Sequence, residues 1–434
     1  MTTTTSSSTS GQGLVEFEFS GLQIGAVEYD SGPTGATVFY FPDKAVGAVD
    51  VRGGAPGTYN TDWLRLGYDF PNLDAITIAG GSWYGLAAAG GVSAALKGVG
   101  KRTGHWSNLA NVAGAIIYDF GERRPNEIHP DEALGARVFE ACKEGEFRSG
   151  AAGAGRMTMQ GSLFGEWIHS GQGAAVREAG TSKIACFVVV NSVGLITDRS
   201  GSICTGKQRL RSDVSTIHDL LGKIPEHIST VPGNILGQLR NGEDGQRNTT
   251  ISVVVTNREM KYHELNRLAI QVHSSMGRAI QPFGTANDGD VLFAVSTNEI
   301  EDEIHPTDLG VVASDVMWDA ILNSIPGIPD ISAHIVESTS NADLNAVAGD
   351  YLFEPDLKLT IARESESALS ITNVSGPDFF GIRKGERYPM ALEDSGVYRG
   401  NSLFIPELGF LGSGQDAVVV ANPGPWQQIG RWLT

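Results

Sequence analysis

Between Leu14 and about Ser200 the chain alternates short apolar runs (ATVFYF, AGAIIYDF and KIACFVVVNSVG) with clusters of turn-forming residues. Runs without a polar face predict buried strands. The stretch AGGSWYGLAAAGGVSAALKGVG, Ala79 to Gly100, predicts a helix of small residues packed close on a sheet, at some cost in helix propensity. From Pro225 to Asn248 the composition turns polar and glycine-rich and predicts a long exposed loop. That loop runs into GQRNTTISVVVTN, Gly245 to Asn257, where a β-branched strand opens on two threonines. Two amphipathic helices follow. One lies within Glu259 to Ile280, with Leu265, Leu268, Ala269, Val272 and Met276 on one face, and the other runs from Asp308 to Ile325. The strand VLFAVST separates them. NSIPGIPDIS, Asn323 to Ser332, reads as a linker, and beyond it Leu357, Leu359 and Ile361 alternate with period two. The expected organisation is a tail over 1–13, a main domain over 14–325, a linker over 326–343 and a small all-β domain over 344–434.

Composition narrows the function. At 434 residues, 41% hydrophobic, the chain is long enough for two domains. Lys plus Arg number 32 against 50 Asp plus Glu, a net charge of -18 that repels nucleic acid and anionic membranes. Cys142, Cys186 and Cys204 form no CxxC pair and are read as reduced or buried. The opening MTTTTSSSTSGQG has no basic start and no apolar core, and no apolar run approaches the roughly 20 residues that span a bilayer, so the expected location is cytoplasmic. No cofactor or metal motif stands up. GSICTGKQ has Gln208 where a phosphate loop needs Ser or Thr, and GAAGAGRMTMQG lacks the third glycine of a dinucleotide fingerprint. His263 and His273 make no i, i+4 pair, and the sequons at Asn248 and Asn373 lack a secretion signal.

The junction carries the chemistry. A threonine hydroxyl is a poor nucleophile without an adjacent base, and an α-amine with a pKa of about 7.7–8.0 supplies one when the residue is a chain terminus. Thr249 becomes terminal if its hydroxyl attacks the Asn248 carbonyl and the ester hydrolyses. The plain alternative is a strand that begins with threonines, which strands favour.

NTTISVVVTN, ELNRLAIQVHSSMGRAIQPF and NDGDVLFAVSTNEI resemble the nylon hydrolase (6-aminohexanoate-oligomer hydrolase) branch of the self-cleaving aminopeptidases, a family that also holds D-aminopeptidases and β-aminopeptidases. GPTGATV, AVDVRGG, AGGSWYGLAAAGGVSAAL, AIIYDF and VVVNSVG extend the likeness over roughly residues 14 to 325. The resemblance implies a four-layer αββα sandwich of the N-terminal-nucleophile type, cut between Asn248 and Thr249. The resulting α-chain and β-chain stay together in a homo-oligomer of such pairs, expected as a tetramer of pairs. It makes Thr249 the nucleophile, Asn191 and Tyr118 neighbours of the reacting carbonyl oxygen, and Asp288 and Asp290 acids beside the nucleophile. Where relatives carry a lysine after the Gly-rich loop, this chain reads Gly161 then Ser162, and Lys183 is the candidate to replace it. The expected substrate is a linear amide such as a 6-aminohexanoate oligomer, hydrolysed through an acyl-enzyme. Two alternatives stay open: a β-aminopeptidase or D-aminopeptidase acting on short peptides, and an uncleaved, catalytically silent binding or assembly module. The C-terminal part resembles the small β-barrel that follows some β-lactamase-related hydrolase domains, through GDYLFEPDLKLTIARESESALSITN; Trp426 and Trp432 are read there as core residues.

Overall fold

Three apolar runs, KIACFVVVN, TTISVVVTN and VLFAVSTN, fold as adjacent central strands, and each sends alternate residues into two different cores. The computed structural model describes residues 13–433 apart from 30–31, 69–70, 125–126, 207–209, 211–213, 223–247, 302–303 and 326–343 and, toward the C-terminus, 355–356, 377–381, 394–396, 401–406, 413–415 and 423–425. The loop read up to Arg247, the linker over 326–343 and the end of GSICTGKQ lie outside the described residues.

The main sheet has ten strands: β1 (Gln23–Tyr29), β2 (Thr34–Val51), β3 (Thr58–Tyr59), β4 (Asn72–Ala79), β5 (Val112–Ile116), β6 (Lys143–Glu144), β7 (Gln172–Ala179), β8 (Ser182–Asn191), β9 (Thr249–Arg258) and β10 (Val291–Ile300). Its order is β7-β8-β9-β10-β2-β4-β5-β3, with β1 pairing β2 and β6. Strand β9 lies antiparallel to β8 and parallel to β10. Strand β2 pairs β10 along its second half and β4 along its first, with a register shift between Tyr40 and Ala45. A shift of this kind bends a strand. Phe187, Val189, Val253, Val255, Phe293 and Val295 of the central strands share one buried cluster with Ile76 and Ile78 of β4 and Ala113 and Ala115 of β5. The sheet therefore turns back on itself around that core. The opposite faces of β8, β9 and β10 place Cys186, Val188, Val254, Leu292 and Ala294 in a second cluster with two helices, α3 (Tyr262–Ser275) and α4 (Pro306–Leu322). The expected stripe Leu265, Leu268, Ala269, Val272 and Met276 is the buried face of α3 and the turn that follows it. Burying each large apolar side chain here contributes roughly 1.5–3 kcal/mol.

The small-residue stretch is shorter as a helix than its sequence predicts. A 3-10 turn, Ser82–Leu86, follows Gly81 at φ +77°, and α1 spans Ala87–Gly98. Its glycine closest to a neighbour faces another helix, α2 (Glu132–Glu140), and not the sheet. A Cβ on Gly91 would stand 2.0 Å from the Glu132 carbonyl oxygen, and one on Gly135 would stand 2.1 Å from that of Ala88.

Backbone contacts divide the chain into two compact units, the second taking in 29–33 and 119–128 along with 329–434. The second unit holds a closed barrel of eight consecutive strands, Gly349–Glu354, Leu357–Arg363, Ala368–Ser375, Arg387–Leu392, Tyr398–Gly400, Glu407–Leu411, Val418–Ala421 and Gln428–Trp432, the last pairing the first. Leu357, Leu359 and Ile361 point inward as their period predicts, around Tyr351 and Phe410. Trp426 is buried, and the Trp432 ring meets Tyr351 edge-on at 5.3 Å. Among the described residues no helix is long and apolar enough to cross a membrane.

The helix contact gives a paired test. Gly91→Ala forces α1 and α2 apart and is expected to cost about 1–3 kcal/mol. Gly90→Ala, whose nearest neighbour would be a Glu132 side-chain oxygen at 3.9 Å, is expected to gain roughly 0.5–1 kcal/mol in helix propensity. Urea unfolding midpoints that move in opposite directions for these adjacent positions check the close approach.

Candidate functional site

Strand β9 starts at Thr249 because the chain there joins two neighbours at once. Asn191, the last residue of β8, pairs with Thr249, and Asn248 bridges to Asp288 just ahead of β10. Asn248 and Thr249 are 1% and 3% exposed, so a polar, turn-forming sequence ends in a site closed to solvent.

Two donors at the junction converge on one carbonyl. The Thr249 hydroxyl donates to the Asn248 carbonyl oxygen at 2.6 Å, and the Gly289 N–H donates to the same oxygen at 2.8 Å. Residue 289 has to be glycine, since a Cβ there would lie 2.7 Å from Thr249 Oγ1 and 2.8 Å from the Ala55 carbonyl oxygen. Its amide is the functional group that the sequence reading missed. In NDGDV the two aspartates drew attention to a turn, and a backbone N–H has no side-chain signature; the tight glycine between two acids is the signal that was there.

The two aspartates are held by three backbone N–H groups and one hydroxyl. Asp290 accepts from the Thr250 N–H at 2.6 Å and from the Gly284 N–H at 3.0 Å. Asp288 accepts from the Thr285 hydroxyl at 2.9 Å and from the Val193 N–H at 3.4 Å. Behind them residues 52, 53 and 55 meet the two aspartates through backbone N–H groups. Arg52 and Gly53 donate to the Asp290 carbonyl, Ala55 donates to that of Asp288, and a Cβ on Gly53 would collide with both residues. Burial raises the Asp288 carboxyl to about 6. Burial, then the neighbouring Asp288 charge, raises Asp290 well above the usual carboxylate range. Among the described residues neither acid is ion-paired within 4.0 Å, so nothing offsets the burial that favours their protonated forms.

Asn191 sits beside this carbonyl but is engaged elsewhere. Its side-chain oxygen accepts from the Met159 N–H at 3.2 Å, and its amide donates to the Tyr118 carbonyl oxygen at 3.0 Å. Tyr118 is thus brought to Asn191 through its backbone. The Gly-rich segment before Ser162 is a closely packed loop: Gly161, at φ +88°, donates to the Gly194 carbonyl, and Leu163 donates to that of Val193. Docking of 161–163 on the loop after Asn191 delivers Ser162, whose hydroxyl accepts from the Asn248 side-chain amide at 2.9 Å. Lys183 is placed differently. It stands at the other end of β8, its N–H on Asn257, its ammonium on the Glu18 carbonyl and near Glu178, and the structure does not bring it to Thr249. No group of three or more His, Cys, Asp or Glu among the described residues could hold a metal ion, and the buried His273 is held at 2.9 Å by Asp50.

The model of Peptidase family S58 matches residues 18–348. A 6-aminohexanoate-oligomer endohydrolase of Paenarthrobacter ureafaciens is 43% identical over 331 residues, covering 72% of this chain and 86% of that protein. One of the same description from Agromyces sp. (strain KY5R) is 43% identical with the same coverage. Among solved structures, a Burkholderia sp. β-aminopeptidase aligns over 70% of this chain and 84% of its own, at 16% identity and a TM-score of 0.49.

The carboxyl pair sets a pH signature. Because folding raises both pKa values above the ordinary 3.8, the native state binds protons that the unfolded chain has released, and stability falls as pH rises from that value through about 6. Asp290→Asn is expected to flatten that fall. The comparison is wild type against variant in urea unfolding across pH 4 to 7.5, and parallel curves would count against the assignment.

Proposed function

The chain belongs to Peptidase family S58, and from that premise we propose a self-processed amide hydrolase whose nucleophile, Thr249, is freed at its amine by cleavage after Asn248. Family membership and the similarity to endohydrolases make it a hydrolase of amide bonds. The substrates we infer are linear amides such as 6-aminohexanoate oligomers, opened through an acyl-enzyme.

One observation carries the reading: the Thr249 hydroxyl and the Gly289 N–H meet on the Asn248 carbonyl inside a closed site. In the proposed maturation Thr249 Oγ1 bonds to the Asn248 carbonyl carbon. The bond to the Thr249 nitrogen breaks, that nitrogen takes the hydroxyl proton, and the Gly289 amide steadies the oxyanion. Water then hydrolyses the ester, leaving a carboxylate on Asn248 and a free amine on Thr249. The amine next acts as base for its own hydroxyl, which attacks a substrate amide; the amine proton passes to the leaving nitrogen and water completes the cycle. Asn191 and Tyr118 keep the oxyanion-side roles that the family resemblance suggests, and Asp288 and Asp290 hold the amine and tune proton transfer. The folded-back sheet with α1 and α2 on one half and α3 and α4 on the other supports a four-layer αββα reading. The assembly we expect is a homo-oligomer of αβ pairs.

Intact mass under denaturing conditions tests the first step: two fragments are expected, the lighter beginning at Thr249. Thr249→Ala is expected to give a folded single chain near 46.0 kDa with activity lower by at least about a thousandfold. A cut, active Thr249→Ala chain would overturn the assignment. Cleavage of amine-capped oligomers separates the endo-acting hydrolase from an aminopeptidase, which requires the free amine.

A further inference from the structure

Self-cleavage and substrate hydrolysis, as proposed above, pass through the same functional group, an ester on Thr249 Oγ1. In maturation its acyl half is residue 248; in turnover it is the substrate's acyl unit. With one nucleophile oxygen, the two carbonyl carbons occupy the same place. The pocket around Asn248 therefore displays, before cleavage, what the acyl subsite accepts.

That pocket is specific. The Asn248 carbonyl rests on the Gly289 N–H, and its side-chain amide donates to the buried Ser162 hydroxyl at 2.9 Å. Among the described residues its side-chain oxygen is buried without a partner. The subsite thus takes a neutral N–H donor four bonds from the acyl carbon and offers nothing to an acceptor on the third carbon along. An internal 4-aminobutanoyl unit meets both conditions: its amide N–H lies four bonds from the carbonyl carbon, and a CH2 stands where Asn248 carries the orphan oxygen. A 6-aminohexanoyl unit carries the N–H two bonds too far to use Ser162 in the same way. We propose that Ser162 is a specificity-determining residue of the acyl subsite and that, among the linear amides proposed above, units of the 4-aminobutanoyl type are turned over faster than 6-aminohexanoyl units. This deepens the reading of Thr249 as nucleophile and rests on it.

The test uses three p-nitroanilides of the mature wild-type protein's acyl subsite: N-acetyl-4-aminobutanoyl, N-acetyl-6-aminohexanoyl, and 6-oxoheptanoyl, in which CH2 replaces the N–H of the first at equal length. The N-acetyl-4-aminobutanoyl probe is expected to exceed the 6-oxoheptanoyl probe about tenfold in kcat/KM, as for one hydrogen bond to a buried partner, and to exceed the 6-aminohexanoyl probe as well. In Ser162→Ala the ratio of the equal-length pair is expected to fall to near one. A wild-type ratio near one overturns the proposal by itself, whatever becomes of the variant, and so does a ratio that survives Ser162→Ala. A mature chain that hydrolyses all three at equal rates removes only this inference. A chain that neither matures nor hydrolyses any of them removes the nucleophile assignment with it.

Discussion

The short parallel alignment of the strand from Thr249 with the strand from Val291 is the constraint on which the site depends. Parallel neighbours exchange evenly spaced, slanted hydrogen bonds, so carrying the register of the Ile251–Val291 pair three residues back along both chains puts Asn248 against Asp288 and lays the next amide, that of Gly289, on the Asn248 carbonyl. A slip of one residue would turn every side chain on the strand to the other core. Val253 and Val254 face different clusters, each filled by large apolar partners, so the two cores lock the register that the carbonyl needs. Packing some distance away thus holds a donor in line with one oxygen.

Electrostatics within this frame are unbalanced. Two carboxyls are buried side by side, satisfied by N–H and O–H donors and by no ion pair among the described residues. Hydrogen-bond donors favour the charged form, whereas burial opposes it at both residues and the neighbouring Asp288 charge opposes it further at Asp290, and the opposing influence dominates at each. An arrangement that costs stability as pH rises is retained here next to the hydroxyl whose proton has to move. The cost falls where the proposed chemistry takes place.

Much of this was legible in the chain. Strands buried on both faces lack polar alternation, and KIACFVVVN and VLFAVST show it; the α3 stripe and the barrel's Leu357, Leu359 and Ile361 carry their periods openly. What was not legible depends on approach between distant segments. Nothing in AAAGGVSAAL says that Gly91 meets a helix carbonyl and not a strand, and nothing in GSLF says that Ser162 reaches Asn248 while Lys183 stands at the far end of its strand. Backbone donors are the hardest case, because Gly289 contributes an N–H that every residue but proline has. Only its lack of a Cβ, read against the Thr249 hydroxyl, distinguishes it.

Among the described residues no cation pairs with Asp288 or Asp290, and the proposed reaction gives this a physical reason. Before cleavage the Thr249 nitrogen is a neutral amide and cannot serve as base, and a permanent cation beside Asp288 and Asp290 would oppose the burial that favours their protonated forms. Cleavage makes that nitrogen an amine with an ordinary pKa of about 7.7–8.0, a group that is charged or neutral within reach of neutral pH. The site acquires its counter-charge and its base in the same event, from its own backbone. A lysine at position 162 would supply the charge earlier and from a fixed position; under the proposed reaction Ser162 leaves the carboxyl pair to respond to the new amine, and its hydroxyl is the one that meets the residue 248 side chain.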